Sequence, residues 1–145
     1  MNADNKQEYI KYRIDSAFNA YNAARILAEN GFWNSAVNRL YYAVFYAVNA
    51  LLVQNDIHAN SHSGTRSQFT LHYIKTGKLD KKFGKLLAEL YDWRQKGDYE
   101  NIFDYNAESV NPMFSLVLEM IEEIEKEVKC NKDFNNGQLT STIDS

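Results

Sequence analysis

The sequence predicts an all-α fold: an antiparallel, up-and-down helical bundle of about five helices in one domain. Three observations carry this. Apolar residues recur at three- and four-residue steps, the spacing of one helix face. The 145-residue chain has one proline and six glycines, so few positions interrupt a helix. One segment, 34–54, is apolar nearly all round, as a helix at the centre of a bundle is.

The first helix is expected from about Lys6 to Glu29, with Ile10, Ile14, Ala17, Tyr21, Ala24 and Leu27 on one stripe. Asn30 and Gly31 supply its stop. The second begins near Trp33 or Asn34 and ends near Gln54. Its strongly polar members are Ser35, Asn38, Arg39 and Asn49. Asn38 and Asn49 lie about three turns apart and share a face, with Tyr42 and Phe45 between them. A polar connection, Asn55 to Ser63, carries His58 and His62. A short helix, roughly Gly64 to Thr76, closes at Gly77. The fourth helix runs from about Asp80 to Lys96, with Phe83, Leu86, Leu87, Leu90, Tyr91 and Trp93 on its apolar side and Gly97 at its end. A second connection, Asp98 to Asn106, contains Tyr99, Phe103 and Tyr105. The last helix starts either at Asn111–Pro112, a good N-cap and first-turn pair, or one turn earlier after Asn106. Its periodicity ends near Cys130. The domain is therefore 1–130, and the Asn-, Asp-, Ser- and Thr-rich stretch 131–145 reads as a disordered tail. The expected core includes Tyr42, Phe45, Ala47, Leu51, Leu87 and Leu116.

Composition narrows the function classes. Sixteen basic residues against nineteen acidic ones give a net charge of −3, which argues against broad, non-specific nucleic-acid binding but leaves room for a local basic groove. Ten tyrosines and eight phenylalanines point to a core or interface built from rings. Cys130 is the only cysteine, so no intrachain disulfide forms, in keeping with a reducing compartment. The N-terminal residues lack the apolar core of a signal peptide. The stretch Leu40 to Val53, interrupted by Asn49, is shorter than a bilayer span. These readings place the protein in the cytoplasm with no membrane partner.

No glycine-rich phosphate loop, paired-cysteine site or His-Glu-x-x-His motif occurs, and no metal or cofactor is assigned. His58 and His62 have the spacing of metal ligands on a helix, but a polar loop makes solvated histidines the better reading. The informative stretch is Tyr91-Asp92-Trp93-Arg94-Gln95-Lys96-Gly97-Asp98-Tyr99. Two readings of it stand. Arg94 and Asp98 form a charge-assisted pair that closes a turn at Gly97. Alternatively, Arg94 grips a phosphate at the rim of a cleft, with Tyr99 stacking or donating and His62 approaching from its loop. Arg39, inside an apolar helix, either snorkels to solvent or faces the same pocket as Arg94.

The run Asn38-Arg39-Leu40-Tyr41-Tyr42-Ala43-Val44-Phe45-Tyr46-Ala47, then Ser61-His62-Ser63-Gly64, Phe69, Lys75-Thr76-Gly77-Lys78-Leu79 and Arg94-Gln95-Lys96-Gly97-Asp98-Tyr99, resembles the HEPN domain family in its small, stand-alone prokaryotic branch. The resemblance covers roughly Tyr9 to Val128. It implies a helical bundle that is usually a homodimer, often encoded beside a small nucleotidyltransferase in a toxin–antitoxin pair. It also implies, for active members, a metal-independent ribonuclease site. That site is an arginine followed after four to six residues by a histidine, completed at the dimer interface. Arg94 falls at the motif arginine. No histidine follows it, and Asp98 stands four residues on. A carboxylate of ordinary pKa is a poor proton donor at neutral pH, though it can act as a base. The expected ligand-binding residues are thus Arg39, His62, Arg94 and Tyr99, for a nucleotide or RNA. The alternatives are a ribonuclease with Arg94 and Asp98 as catalytic residues, or a structural dimer without a ligand.

Overall fold

The structure is a computed structural model that describes residues 2–99 and 104–144, with side chains described through Cys130 apart from that of Tyr99. It is an all-α bundle of α1 (Ala3–Glu29), α2 (Trp33–Gln54), α3 (His62–Phe69), α4 (Lys81–Tyr99) and α5 (Ala107–Asp144). A π-helical turn, Thr70–Ile74, continues α3, and no strand occurs among the described residues.

A tight reversal makes α1 and α2 an antiparallel hairpin. Gly31 adopts φ +79°, Gly31 N–H donates to the Ala28 carbonyl at 3.0 Å, and Phe32 N–H reaches back to the Leu27 carbonyl at 2.9 Å. This is Schellman closure, which satisfies carbonyls left over at a helix end. α2 ends the same way without a glycine. Ile57 N–H donates to the Leu52 carbonyl at 2.9 Å around Asp56, whose φ is +56°. The Asp56 carboxylate also accepts from Lys6 Nζ at 3.0 Å, tying the following loop to α1.

α2 is the axis of the fold, with α1, α4 and α5 packed along it. Ala36, Val37, Leu40, Ala43, Val44, Ala47, Val48, Ala50 and Leu51 are wholly buried. Buried alanines on α1 (Ala17, Ala20, Ala24) and on α2 let helix axes approach and keep the interior dense. Over all its 22 residues α2 is long and apolar enough, by length and composition, to cross a membrane, unlike the shorter stretch Leu40 to Val53 on which the expectation rested. In this fold 61% of its most apolar window is buried by the neighbouring helices.

Of the expected core, Ala47, Leu51 and Leu87 are buried, while Tyr42, Phe45 and Leu116 are only partly so. Tyr42 and Phe45 depart because they lie where α2 meets a cluster of rings and arginines. Helix ends also differ. Ser61, not Ser63, precedes α3, and its Oγ accepts from Gly64 N–H at 2.9 Å. The earlier of the two starts holds for α5: Asn106 Oδ1 accepts from Ser109 N–H at 3.0 Å, and Ser109 Oγ accepts from Asn106 N–H at 3.1 Å. That reciprocal cap leaves Pro112 inside the helix.

Gly97 does not end α4, which continues to Tyr99. Its role is close approach: a Cβ there would lie 3.2 Å from the Tyr105 ring and 3.7 Å from Asn34. Asn34 Oδ1 accepts from Tyr105 N–H at 2.8 Å, and the Tyr105 ring stacks on Trp93 at 4.9 Å. The start of α2 thus pins the returning chain against α4. Within the second connection, residues 100–103, which include Phe103, lie outside the described residues. So do the side chains of 131–145, where a disordered tail was expected; the backbone of α5 is helical to Asp144.

Candidate functional site

Three helices deliver one cluster. Arg39, Tyr42 and Tyr46 lie on one strip of α2, with Tyr41 and Phe45 beside it. Tyr91 and Arg94, three apart, come from α4. His62 and Arg66, four apart, come from α3.

Arg94 is only 8% exposed. Its Cζ lies 5.1 Å from the Tyr41 ring centroid, 5.5 Å from Tyr42 and 5.6 Å from Tyr91. Nη1 donates to the Tyr42 hydroxyl at 3.0 Å, and Nε has no hydrogen-bond partner among the described residues. Ring faces, rather than a carboxylate, stabilise this guanidinium. Arg39 covers the Tyr42 ring at 5.0 Å, so Tyr42 is flanked by two guanidiniums. Arg39 Nε and Nη2 donate to Asn38 Oδ1 at 3.1 and 3.0 Å, and Asn38 Nδ2 donates to Asp98 Oδ2 at 2.8 Å. Asp98 therefore orients Arg39 through Asn38.

His62 stacks on Phe45 with centroids 4.5 Å apart, and its Nδ1 lies 2.6 Å from the Tyr41 hydroxyl. Burial, and then the charge of Arg94, hold its pKa below the ordinary 6.5. Tyr41 is 1% exposed, and burial pushes its phenol far above the usual range. Tyr41 thus keeps its proton, and the hydrogen bond runs from its hydroxyl to Nδ1 when neutral His62 carries its hydrogen on Nε2, or from Nδ1 to the hydroxyl in the other tautomer. In the first of these tautomers Nε2 is a donor. Acting as a base at Nε2 needs the second, in which the Tyr41 hydroxyl accepts from Nδ1.

Arg39, His62 and Arg94 are therefore brought together. The expected rim position of Arg94 is corrected to a buried one, because α4 runs on past it and the tyrosines close over it. The expected Arg94–Asp98 pair is also corrected: no ion pair joins them among the described residues, and Asp98 is turned to Asn38. The Tyr99 side chain lies outside the described residues. Tyr41, Tyr91 and Arg66, whose Cζ lies 5.1 Å over the Tyr91 ring, were not expected in the site. The tyrosine pair directly after Arg39, and Tyr91 one turn before Arg94, were the available signals. His72, half-buried, has its Nε2 3.1 Å from Gln68 Oε1 and takes no part. Among the described residues no group of three or more His, Cys, Asp or Glu is placed to hold a metal.

The cluster offers guanidinium charge, an N–H donor and ring faces, a set suited to phosphate and to nucleobases. The sequence profile of the HEPN domain matches residues 10–128. A UPF0332 protein of Thermotoga maritima is 34% identical over 83% of this chain and 92% of its own length. A protein of Methanocaldococcus jannaschii that carries the name of a candidate toxin is 30% identical over 88% of this chain and 96% of its own. Another from that organism, similarly named, is 35% identical over 66% of this chain and 65% of its own. With a match spanning most of its length and relatives of this similarity, the chain belongs to the HEPN domain family.

Proposed function

We propose that this protein is a homodimer that binds the phosphate of a nucleotide or RNA strand beside Arg94 and partners a small nucleotidyltransferase in a toxin–antitoxin-like pair. The observation that carries the binding reading is the buried Arg94, caged by three tyrosines with its Nε unpartnered among the described residues, next to Arg39 and His62. A buried donor without an acceptor costs stability, and a ligand oxygen would supply that acceptor. The toxin names of the relatives support the pairing, and the family resemblance supports both the pairing and the dimer.

The proximity of His62 to Arg94 favours a second reading, a metal-independent ribonuclease. It is the weaker one, because no histidine follows Arg94 and Asp98 is engaged by Asn38. Labelled single-stranded RNA, incubated with the purified protein and a metal chelator, separates the two. Saturable binding of intact RNA, weakened in Arg94→Lys, is expected. Robust cleavage, lost in Arg94→Lys and in His62→Gln, would replace binding with catalysis. Light scattering at high micromolar concentration should give twice the chain mass of 16.8 kDa. A monomer mass there refutes the dimer.

A further inference from the structure

Beside His62 lies a groove of about 330 Å³, between α1, α2, the loop 55–61 and the first turn of α3. This is at the lower end of small-molecule sites, roughly 300–1,000 Å³. Its walls divide by chemistry. Phe45, Leu52, Val53 and Ile57 give an apolar side. Arg13, Asn49, His58, Asn60 and His62 give a polar one. No aspartate or glutamate is among the described residues that line it, in a chain that carries nineteen.

Arg13 is pre-placed. Its Cζ sits 5.2 Å from the Tyr9 ring and 5.1 Å from the Tyr46 ring, and its Nε donates to the Tyr9 hydroxyl at 2.9 Å. Its two terminal nitrogens make no ion pair with a described carboxylate. A guanidinium held by rings and not neutralised loses little entropy when it takes an anion. Phe45 and His62 belong both to this groove and to the cluster around Arg94, so the two are continuous. An apolar ligand would leave Arg13 and Asn49 unanswered, and a free sugar would not use the cation or the apolar wall.

We infer that this groove is a nucleotide subsite. It takes one nucleoside monophosphate unit, with the phosphate on Arg13 and the base against the apolar side around Phe45. The unit is either a free nucleotide or one residue of an RNA strand whose next phosphate reaches Arg94. The inference rests on the nucleotide- or RNA-binding reading above and gives it a second contact.

The test titrates adenosine monophosphate, adenosine and inorganic phosphate into the ¹⁵N-labelled full chain and follows amide shifts. Adenosine monophosphate is expected to saturate, moving Arg13, Asn49 and the 58–65 amides, and to bind more tightly than either fragment. Arg13→Gln should weaken it about tenfold, as loss of a charge-assisted hydrogen bond does. Asn49→Ala, which leaves Arg13 and its rings in place, should weaken it about threefold, and Arg13→Lys should recover part of the loss. A trinucleotide that binds more tightly, with sensitivity to both Arg13→Gln and Arg94→Lys, identifies the strand as the source. If only the monophosphate responds to Arg13→Gln, the free nucleotide is the source. RNA binding that depends on Arg94 while the groove amides stay still overturns the subsite but leaves the proposed function standing. Groove binding with RNA affinity indifferent to Arg94 and Arg39 supports the subsite and overturns the site proposed above. No saturation by any of these probes overturns both.

Discussion

Arg94 is held by ring faces and one hydroxyl, and that decides what its removal does. Truncation to alanine leaves a void among Tyr41, Tyr42 and Tyr91 and should lower stability by about 2–4 kcal/mol in chemical denaturation, in keeping with other losses of large, well-packed side chains. Arg94→Lys keeps the charge and should cost less than half as much; equal losses would show that packing there is trivial. His62 gives a pH signature. Its pKa is depressed in the fold, so the unfolded chain binds its proton more readily. The contribution is therefore complete above the ordinary 6.5, declines as pH falls through that value, and levels off below the folded pKa. Melting temperature should fall from about pH 7 towards pH 5, and His62→Gln should flatten part of that fall. An identical profile in the variant would mean that His62 is solvated. The sequence singled out Arg39, His62 and Arg94 by residue type and motif order. It could not give their partners, because Asp98 lies close to Arg94 in sequence while its hydrogen-bond partner Asn38 lies on another helix. Local spacing favours the nearer pair, and tertiary packing selects the distant one.

Helix identities were legible because each buried stripe repeats at helical spacing. Helix ends were less so. Glycine was read as a stop at Gly31, Gly77 and Gly97. At Gly31 and Gly77, φ is +79° and +76°, so the reading holds. Gly97 is instead a point of close approach to Asn34, distant in sequence, and to Tyr105 on the returning chain. Conversely, α2 is closed by Asp56 at φ +56°, a conformation that carries a cost outside glycine. Asp56→Gly should therefore raise stability by about 0.5–1 kcal/mol, offset in part by loss of the exposed Lys6 pair. A net loss in denaturant midpoint would show that the ion pair outweighs the backbone. On α4, Leu87 is 2% exposed, and Leu87→Ala should cost about 2–5 kcal/mol. A loss well below 1 kcal/mol would contradict the packing of that helix against α2.

Across the whole molecule, a net charge of −3 coexists with a face that carries Arg13, Arg39, Arg66 and Arg94 over tyrosine rings. Total charge hid this face; the surplus of tyrosines hinted at it, since rings can hold arginines where carboxylates would neutralise them. In the function proposed above, this face binds the phosphates of a nucleotide or RNA. Arg39 tests it most directly, because it is part-exposed and its removal leaves no large void. The measurement is the affinity of a fluorescent single-stranded RNA for wild-type protein and for Arg39→Gln across a series of salt concentrations. Binding about tenfold weaker at low salt, a slope of log K against log salt smaller by about 0.7, and an unchanged melting temperature are expected for Arg39→Gln. Equal affinity and equal slope in the two proteins would contradict the proposed binding.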